Sequence, residues 1–144
     1  TLIASGLNVP AYKISLGNFD THVAQPKKHE VLLNKLANGL ATFRANLQHV
    51  GMWDEVVVMT YSEFGRRVNE NGSKGTDHGT AAPHMVLGGK VRGGLYGDQP
   101  SLTDLDERGD QFFTTDFRDM YATIRNDWWG LDKSDERASL GFVG

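Results

Sequence analysis

EVVVMTYSEFGRRVNENGSKGTDHG, from Glu55 to Gly79, passes from an apolar run into a long polar loop. Val56-Val57-Val58-Met59 is short and rich in β-branched residues, and it reads as a fully buried strand. The run gives out at Thr60-Tyr61-Ser62-Glu63-Phe64-Gly65, where a carboxylate and a turn glycine arrive together. The loop beyond is dense in Gly, Asn and Ser and ends in Gly75-Thr76-Asp77-His78-Gly79. Long loops without structure of their own are uncommon in compact domains and tend to be functional or disordered. A carboxylate at a strand end and an Asp-His pair in the following loop are the kind of set a metal site uses.

Upstream, Pro26 to about Val50 is the clearest helix. Leu32, Leu36, Leu40, Phe43 and Leu47 recur at spacings of three and four, with Lys27, Lys28, Glu30, Lys35 and Arg44 largely on the other side. Gly51 can end it. Before it, Tyr12-Lys13-Ile14-Ser15-Leu16 alternates and reads as a strand, broken by Gly17-Asn18 and followed at once by Asp20 and His22. Strand, helix and strand make a βαβ unit with a right-handed crossover and parallel strands. Ligands of such sheets bind outside the carboxyl ends of the strands. Asp20 and His22 follow one such end and Glu63 the other, so the two groups are expected to share a rim.

Downstream, Met85-Val86-Leu87 reads as a further short strand. No crossover helix precedes it, so it is expected to run antiparallel to the others or to lie outside the main sheet. Gly88-Gly89 and Gly93-Gly94 bracket a turn or hairpin. A second helix is predicted from Asp116, a good N-cap, with Phe117, Met120, Tyr121, Ile124 and Trp128 as its apolar stripe and Gly130 as its end. The polar stretch 132–144 is expected to be a mobile tail. Near the start, Gly6 is a candidate helix cap and Pro10 bars any helix from continuing. The expected fold is α/β, with a mostly parallel sheet and an antiparallel strand.

The chain has 144 residues, which points to a single domain over 1–144. Hydrophobic content of 39% and charged content of 23% are ordinary for a globular protein. A formal net charge of -3 gives no nucleic-acid footprint. No apolar run is long enough to span a bilayer. The first residues carry neither a basic region nor an apolar core, so no signal peptide is expected. The absence of cysteine excludes disulfides, thiolate ligands and a cysteine nucleophile.

Each candidate residue has an ordinary reading as well. Asp20 can cap a turn, Glu63 can pair with Arg66 or Arg67, and Asp77-His78 can form an Asx turn. Arg66 and Arg67 suit an anionic substrate group or a surface ion pair. His29 and His84 read as structural or supporting, and His49 suits the carboxyl end of a helix dipole. Taken together, Asp20, His22, Glu63, Asp77 and His78 form the candidate metal set. Carboxylate with imidazole suits zinc or manganese, and carboxylates alone suit magnesium or calcium. A cation so held would act as a Lewis acid on substrate and bound water.

Leu16-Gly17-Asn18-Phe19-Asp20-Thr21-His22, Thr60-Tyr61-Ser62-Glu63-Phe64-Gly65-Arg66-Arg67 and Gly75-Thr76-Asp77-His78-Gly79 together resemble the bacterial family called domain of unknown function 1501. Leu87-Gly88-Gly89, Gly93-Gly94-Leu95-Tyr96-Gly97 and Thr114-Thr115-Asp116-Phe117-Arg118 extend the resemblance over nearly the whole chain. The family looks like a distant branch of the alkaline phosphatase and sulfatase superfamily. That likeness implies an α/β/α sandwich with one or two metal ions at the strand ends. It implies Asp20 and His22 as the first ligand group, Glu63 as the second and His78, beside Asp77, as the loop ligand, with zinc ahead of manganese, magnesium or calcium. It also implies that the chain is the carboxyl-terminal half of such a domain. The nucleophile would then lie in the amino-terminal half of the same protein, with Arg66 as an anion clamp. Neither Thr60 nor Ser62 is taken as that nucleophile. Family members often carry twin-arginine export signals, which implies a periplasmic or exported setting. The function so implied is metal-dependent hydrolysis of small phosphate or sulfate esters. The alternative is a non-catalytic binding or assembly module on the same scaffold.

Overall fold

The computed structural model describes residues 2–131 and 137–144. The chain divides into two compact units, Thr1–Val56 with Glu70–Asp77, and Val57–Asn69 with His78–Gly144.

The first unit is built on the helix α1, Gln25–His49. Pro26 sits in its first turn, where its missing N–H costs nothing. Residues 73–74 close the amino end: Ala24 N–H donates to Ser73 O at 3.0 Å and Gln25 N–H to Lys74 O at 2.9 Å. The other end is a Schellman turn. Gly51, at φ +71°, donates to Gln48 O at 3.1 Å, and Met52 N–H donates to Leu47 O at 2.8 Å. The apolar stripe is buried fully only at Leu47, and the helix contacts the 3₁₀ turn Trp53–Glu55. Arg44 lies over the Trp53 ring, 5.9 Å from its centroid. Before α1 the unit has one 3₁₀ turn, Ile3–Ser5, closed by Gly6 at φ +75°, and then irregular chain.

The second unit holds β1 (Val57–Met59), β2 (Gly65–Arg66), β3 (His78–Gly79) and β4 (Val86–Gly88). β1 pairs antiparallel with β4, and β2 antiparallel with β3. Thr60 extends the first ribbon by one step. Its N–H donates to Met85 O at 2.9 Å, and its hydroxyl accepts from Met85 N–H at 2.8 Å. The second ribbon needs its glycines. A Cβ on Gly79 would stand 2.6 Å from the Arg66 carbonyl carbon, and one on Gly65 would strike the Ala81 backbone. The helix α2, Phe117–Thr123, continues as a π-helical turn, Ile124–Trp128.

The predicted α/β/α sandwich with a mostly parallel sheet is therefore not what the chain forms: both sheets are two-stranded and antiparallel. The error lies at residues 12–16, which are irregular, with Ile14 86% exposed. Five alternating residues give a strand its face but not its partner. β1, the intended partner, spends its ladder on β4 and is half-buried rather than fully buried. No βαβ unit exists without that strand, and the rim expected from parallel strands has no counterpart. The antiparallel sense expected for Met85–Leu87 holds.

Of the segment 132–144, residues 132–136 lie outside the described residues. Beyond them, Thr123, wholly buried, accepts from Leu140 N–H at 2.9 Å and donates to Asp119 O at 2.7 Å. Phe142 is 2% exposed, and its carbonyl accepts from Arg92 N–H at 2.8 Å, next to a bridge between Val91 and Val143. Phe142, Val143 and Ala122 are the buried apolar residues of this unit among those described.

Asp116 caps α2, accepting from Arg118 N–H at 2.9 Å. The Arg118 side chain grips the same carboxylate, with Nε at 2.9 and 3.0 Å from its two oxygens, and Arg137 adds a contact at 3.3 Å. The Arg118 guanidinium, followed by the Arg118 backbone N–H, holds the Asp116 carboxyl far below its usual range. A carboxyl depressed by folding contributes stability above its unfolded pKa, about 3.9, and that contribution is lost as pH falls through the folded value. Thermal melts of Asp116→Asn should show a lower Tm at about pH 6. They should also show a smaller further drop than wild type when the pH is taken below 3.

Candidate metal centre

Thr21 organises the first half of the site. It is 5% exposed, and its hydroxyl meets His29 Nε2 at 2.9 Å. Gln25, also buried, donates from Nε2 to the Thr21 hydroxyl at 3.2 Å and to its carbonyl at 3.3 Å. Thr76 completes this network by donating to Gln25 Oε1 at 2.9 Å. His29 packs edge-on against Phe19, with centroids 5.9 Å apart. With Thr21 tied inward, its neighbours Asp20 and His22 are left at the surface.

The His22 imidazole stands between two carboxylates. Nε2 is 2.9 Å from Asp20 Oδ1, and Nδ1 is 3.3 Å from Asp77 Oδ1. Three of the predicted metal residues, Asp20, His22 and Asp77, thus meet within the first unit. Gly75 makes this possible. Its backbone lies on that of His22, and a Cβ there would stand 2.5 Å from the His22 carbonyl carbon and 3.0 Å from Val23 N. Only glycine lets the loop approach so closely.

Side-chain exposures of 42% for His22, 64% for Asp20 and 53% for Asp77 make these surface contacts. Exposed ion pairs are worth at most about 1 kcal/mol, so stability gives little reason for the arrangement. A neutral imidazole has one N–H and one lone pair. An imidazolium donates to both carboxylates, whereas a neutral ring donates to one and turns its lone pair toward the other, where a cation can be shared. Ligand atoms of a tetrahedral zinc site with bonds near 2.0 Å lie about 3.3 Å apart. The Nε2–Oδ1 separation of 2.9 Å is a hydrogen-bond distance, so an ion taken up there would part the two groups slightly. In the tautomer protonated at Nδ1, the contact with Asp77 is the carboxylate–histidine pairing that orients metal-bound imidazoles. By donor type, carboxylate with imidazole is a set that divalent ions take. Thr21 also lines a groove of ≈ 480 Å³ with Val31, Leu32 and the side chains of Lys27 and Lys28, and its surface is almost wholly apolar.

Glu63, Arg66 and His78 belong to the second unit. Glu63 is exposed, and Arg67, one of its expected partners, is engaged with Asp110 at 3.2 Å. His78 stacks on Phe64, with centroids 3.7 Å apart and planes 6° from parallel, and Arg66 Cζ lies 5.1 Å from the same ring. Phe64 and Arg66 are two residues apart, and His78 is the register partner of Arg66. All three therefore rise from one face of the β2–β3 ribbon. Burial pushes the His84 imidazole below its usual range, against a weaker opposing hydrogen bond to the Thr60 backbone.

Sequence reading missed Thr21, Gln25, Thr76 and, above all, Asn71. Asn71 Oδ1 accepts from Ser73 N–H at 2.9 Å and Gly75 N–H at 3.1 Å. The signal was present in Asn71-Gly72-Ser73, because Asn favours bonds to the backbone two residues on.

A family model described as "Protein of unknown function (DUF1501)" matches residues 2–139. No curated protein and no solved structure matches the chain.

Proposed function

The chain belongs to this family of unknown function, and from that premise we propose that it is part of a metal-dependent hydrolase of small phosphate or sulfate esters. One observation carries the metal half of the reading: the His22 ring lies between the Asp20 and Asp77 carboxylates. Asp20 Oδ1 and His22 Nε2 would hold the ion, and Asp77 would fix the ring through Nδ1–H. Imidazole with carboxylate favours zinc over manganese, magnesium or calcium. A divalent ion bound there supplies Lewis acidity and a bound water of lowered pKa. Glu63 and His78 remain candidate donors on the strength of their sequence motifs.

Arg66 is the candidate clamp for the charge of an anionic ester. The hydrolase half rests on the resemblance to the alkaline phosphatase and sulfatase superfamily. By that resemblance the nucleophile comes from an amino-terminal half of the same protein, in an exported setting. No helix among the described residues is long and apolar enough to cross a membrane.

A second reading, a non-catalytic binding or assembly module, is favoured by a different observation. Among the described residues only Leu47, Ala122, Phe142 and Val143 are buried apolar side chains, while many large apolar side chains are exposed, Leu95 fully so. Surface of that kind suits a chain that packs on something else.

Turnover of aryl phosphates and aryl sulfates by the zinc-loaded full-length protein separates the two. The hydrolase reading expects release of the aryl alcohol from one of these classes, and a rate at least about a hundredfold lower in Asp20→Asn. Equal rates in wild type and Asp20→Asn, or no turnover of either class, would leave the binding-module reading.

A further inference from the structure

The structure assigns Asn71 the task of positioning the His22 imidazole, an inference that rests on the metal reading above. Four side-chain hydrogen bonds carry it. Asn71 Oδ1 accepts from Ser73 N–H at 2.9 Å and Gly75 N–H at 3.1 Å. Nδ2 donates to the His22 carbonyl at 3.1 Å and to Asp77 Oδ1 at 3.3 Å. Backbone N–H groups can only donate, so they fix which end of the amide is oxygen. The nitrogen must then face His22 and Asp77. Main-chain bonds brace the residue from both sides: Asn71 N–H donates to Gly75 O at 2.8 Å, and its carbonyl accepts from Lys74 N–H at 3.3 Å.

The two halves of the amide do different work. The oxygen shapes the turn from Ser73 to Gly75. The nitrogen ties that turn to the His22 backbone and holds Asp77 Oδ1, the oxygen that also faces His22 Nδ1. Asp77 sets the plane of the ring, and Asn71 sets Asp77. Asn71 itself meets no ion and is a positioning residue. Aspartate at 71 would keep the oxygen half and lose the nitrogen half, placing a second negative charge against Asp77.

Asn71→Asp therefore separates positioning from loop shape. The test is zinc affinity of the full-length protein, by competition with a chromophoric chelator. It is run on wild type, Asn71→Asp, Asp77→Asn and the double variant, with melts in excess chelator as a folding control. Asn71→Asp is expected to weaken zinc binding about tenfold or more, as loss of an outer partner does, with its metal-free melt near that of wild type. The double variant is expected to bind zinc little more weakly than Asp77→Asn alone, since Asn71 orients the ring chiefly through Asp77 Oδ1. The His22 Nδ1–H proton signal, present in the zinc-loaded wild type, should be lost in Asn71→Asp. If Asn71→Asp is unfolded in chelator, Asn71→Ser takes its place in the cycle with the same expectations. Wild-type affinity in Asn71→Asp, or losses that add in the double variant, would overturn the positioning role and leave the metal reading standing. A wild type that takes up no zinc would overturn both.

Discussion

Gly75→Ala is expected to remove measurable zinc binding and to lower the melting temperature in the same step. The added methyl would collide with the backbone of His22, whose carbonyl carbon stands 2.5 Å from its position. Neither partner is the movable end of a side chain, so relief requires the loop and residues 22–23 to part. Overpacking of this kind costs about 3 kcal/mol at the upper end of its usual range. The same parting pulls Asp77 from His22 Nδ1 and Asn71 from the His22 carbonyl. A zinc titration of Gly75→Ala beside a thermal melt checks both effects. Gly72→Ala, where a Cβ meets nothing within 4 Å, is the control and should change neither.

His22→Ala should reach the metal while leaving the fold nearly untouched. The ring is 42% exposed, so its removal leaves no buried cavity. Its carboxylate contacts are surface pairs worth about 1 kcal/mol at most, and the melt should stay near that of wild type. Zinc affinity should fall by more than about a hundredfold, beyond the 10–100-fold that loss of an outer partner costs. Asp77→Asn, which removes only the support of Nδ1–H, should fall within that lesser range. A ranking with Asp77→Asn as damaging as His22→Ala would make Asp77 a direct ligand.

The sequence made some of this legible and hid the rest for definite reasons. α1 was read to within a residue at each end, because its period, Pro26 and Gly51 are local signals. Asp116 was read as an N-cap for the same reason. The strand at residues 12–16 failed because pairing is not local: nothing in Tyr12–Leu16 says whether β1 is free to receive it. That failure removed the parallel sheet. The meeting of Asp20, His22 and Asp77 survives it, because Asn71, Gly75 and Thr21 hold the site within one unit. The motif residues were visible from their types and spacing. The braces around them were not, since a Thr or Asn in a polar loop looks the same whether it faces solvent or supports a ligand.

The most direct test of the metal centre is the imidazole nitrogen spectrum of the full-length protein, uniformly labelled with ¹⁵N, before and after one equivalent of zinc. The predicted result is a shift of His22 Nε2 to the range of a metal-bound nitrogen, with Nδ1 retaining its proton toward Asp77. A His22 ring whose two nitrogens are unmoved by zinc, at concentrations that saturate any site in the protein, would contradict the account.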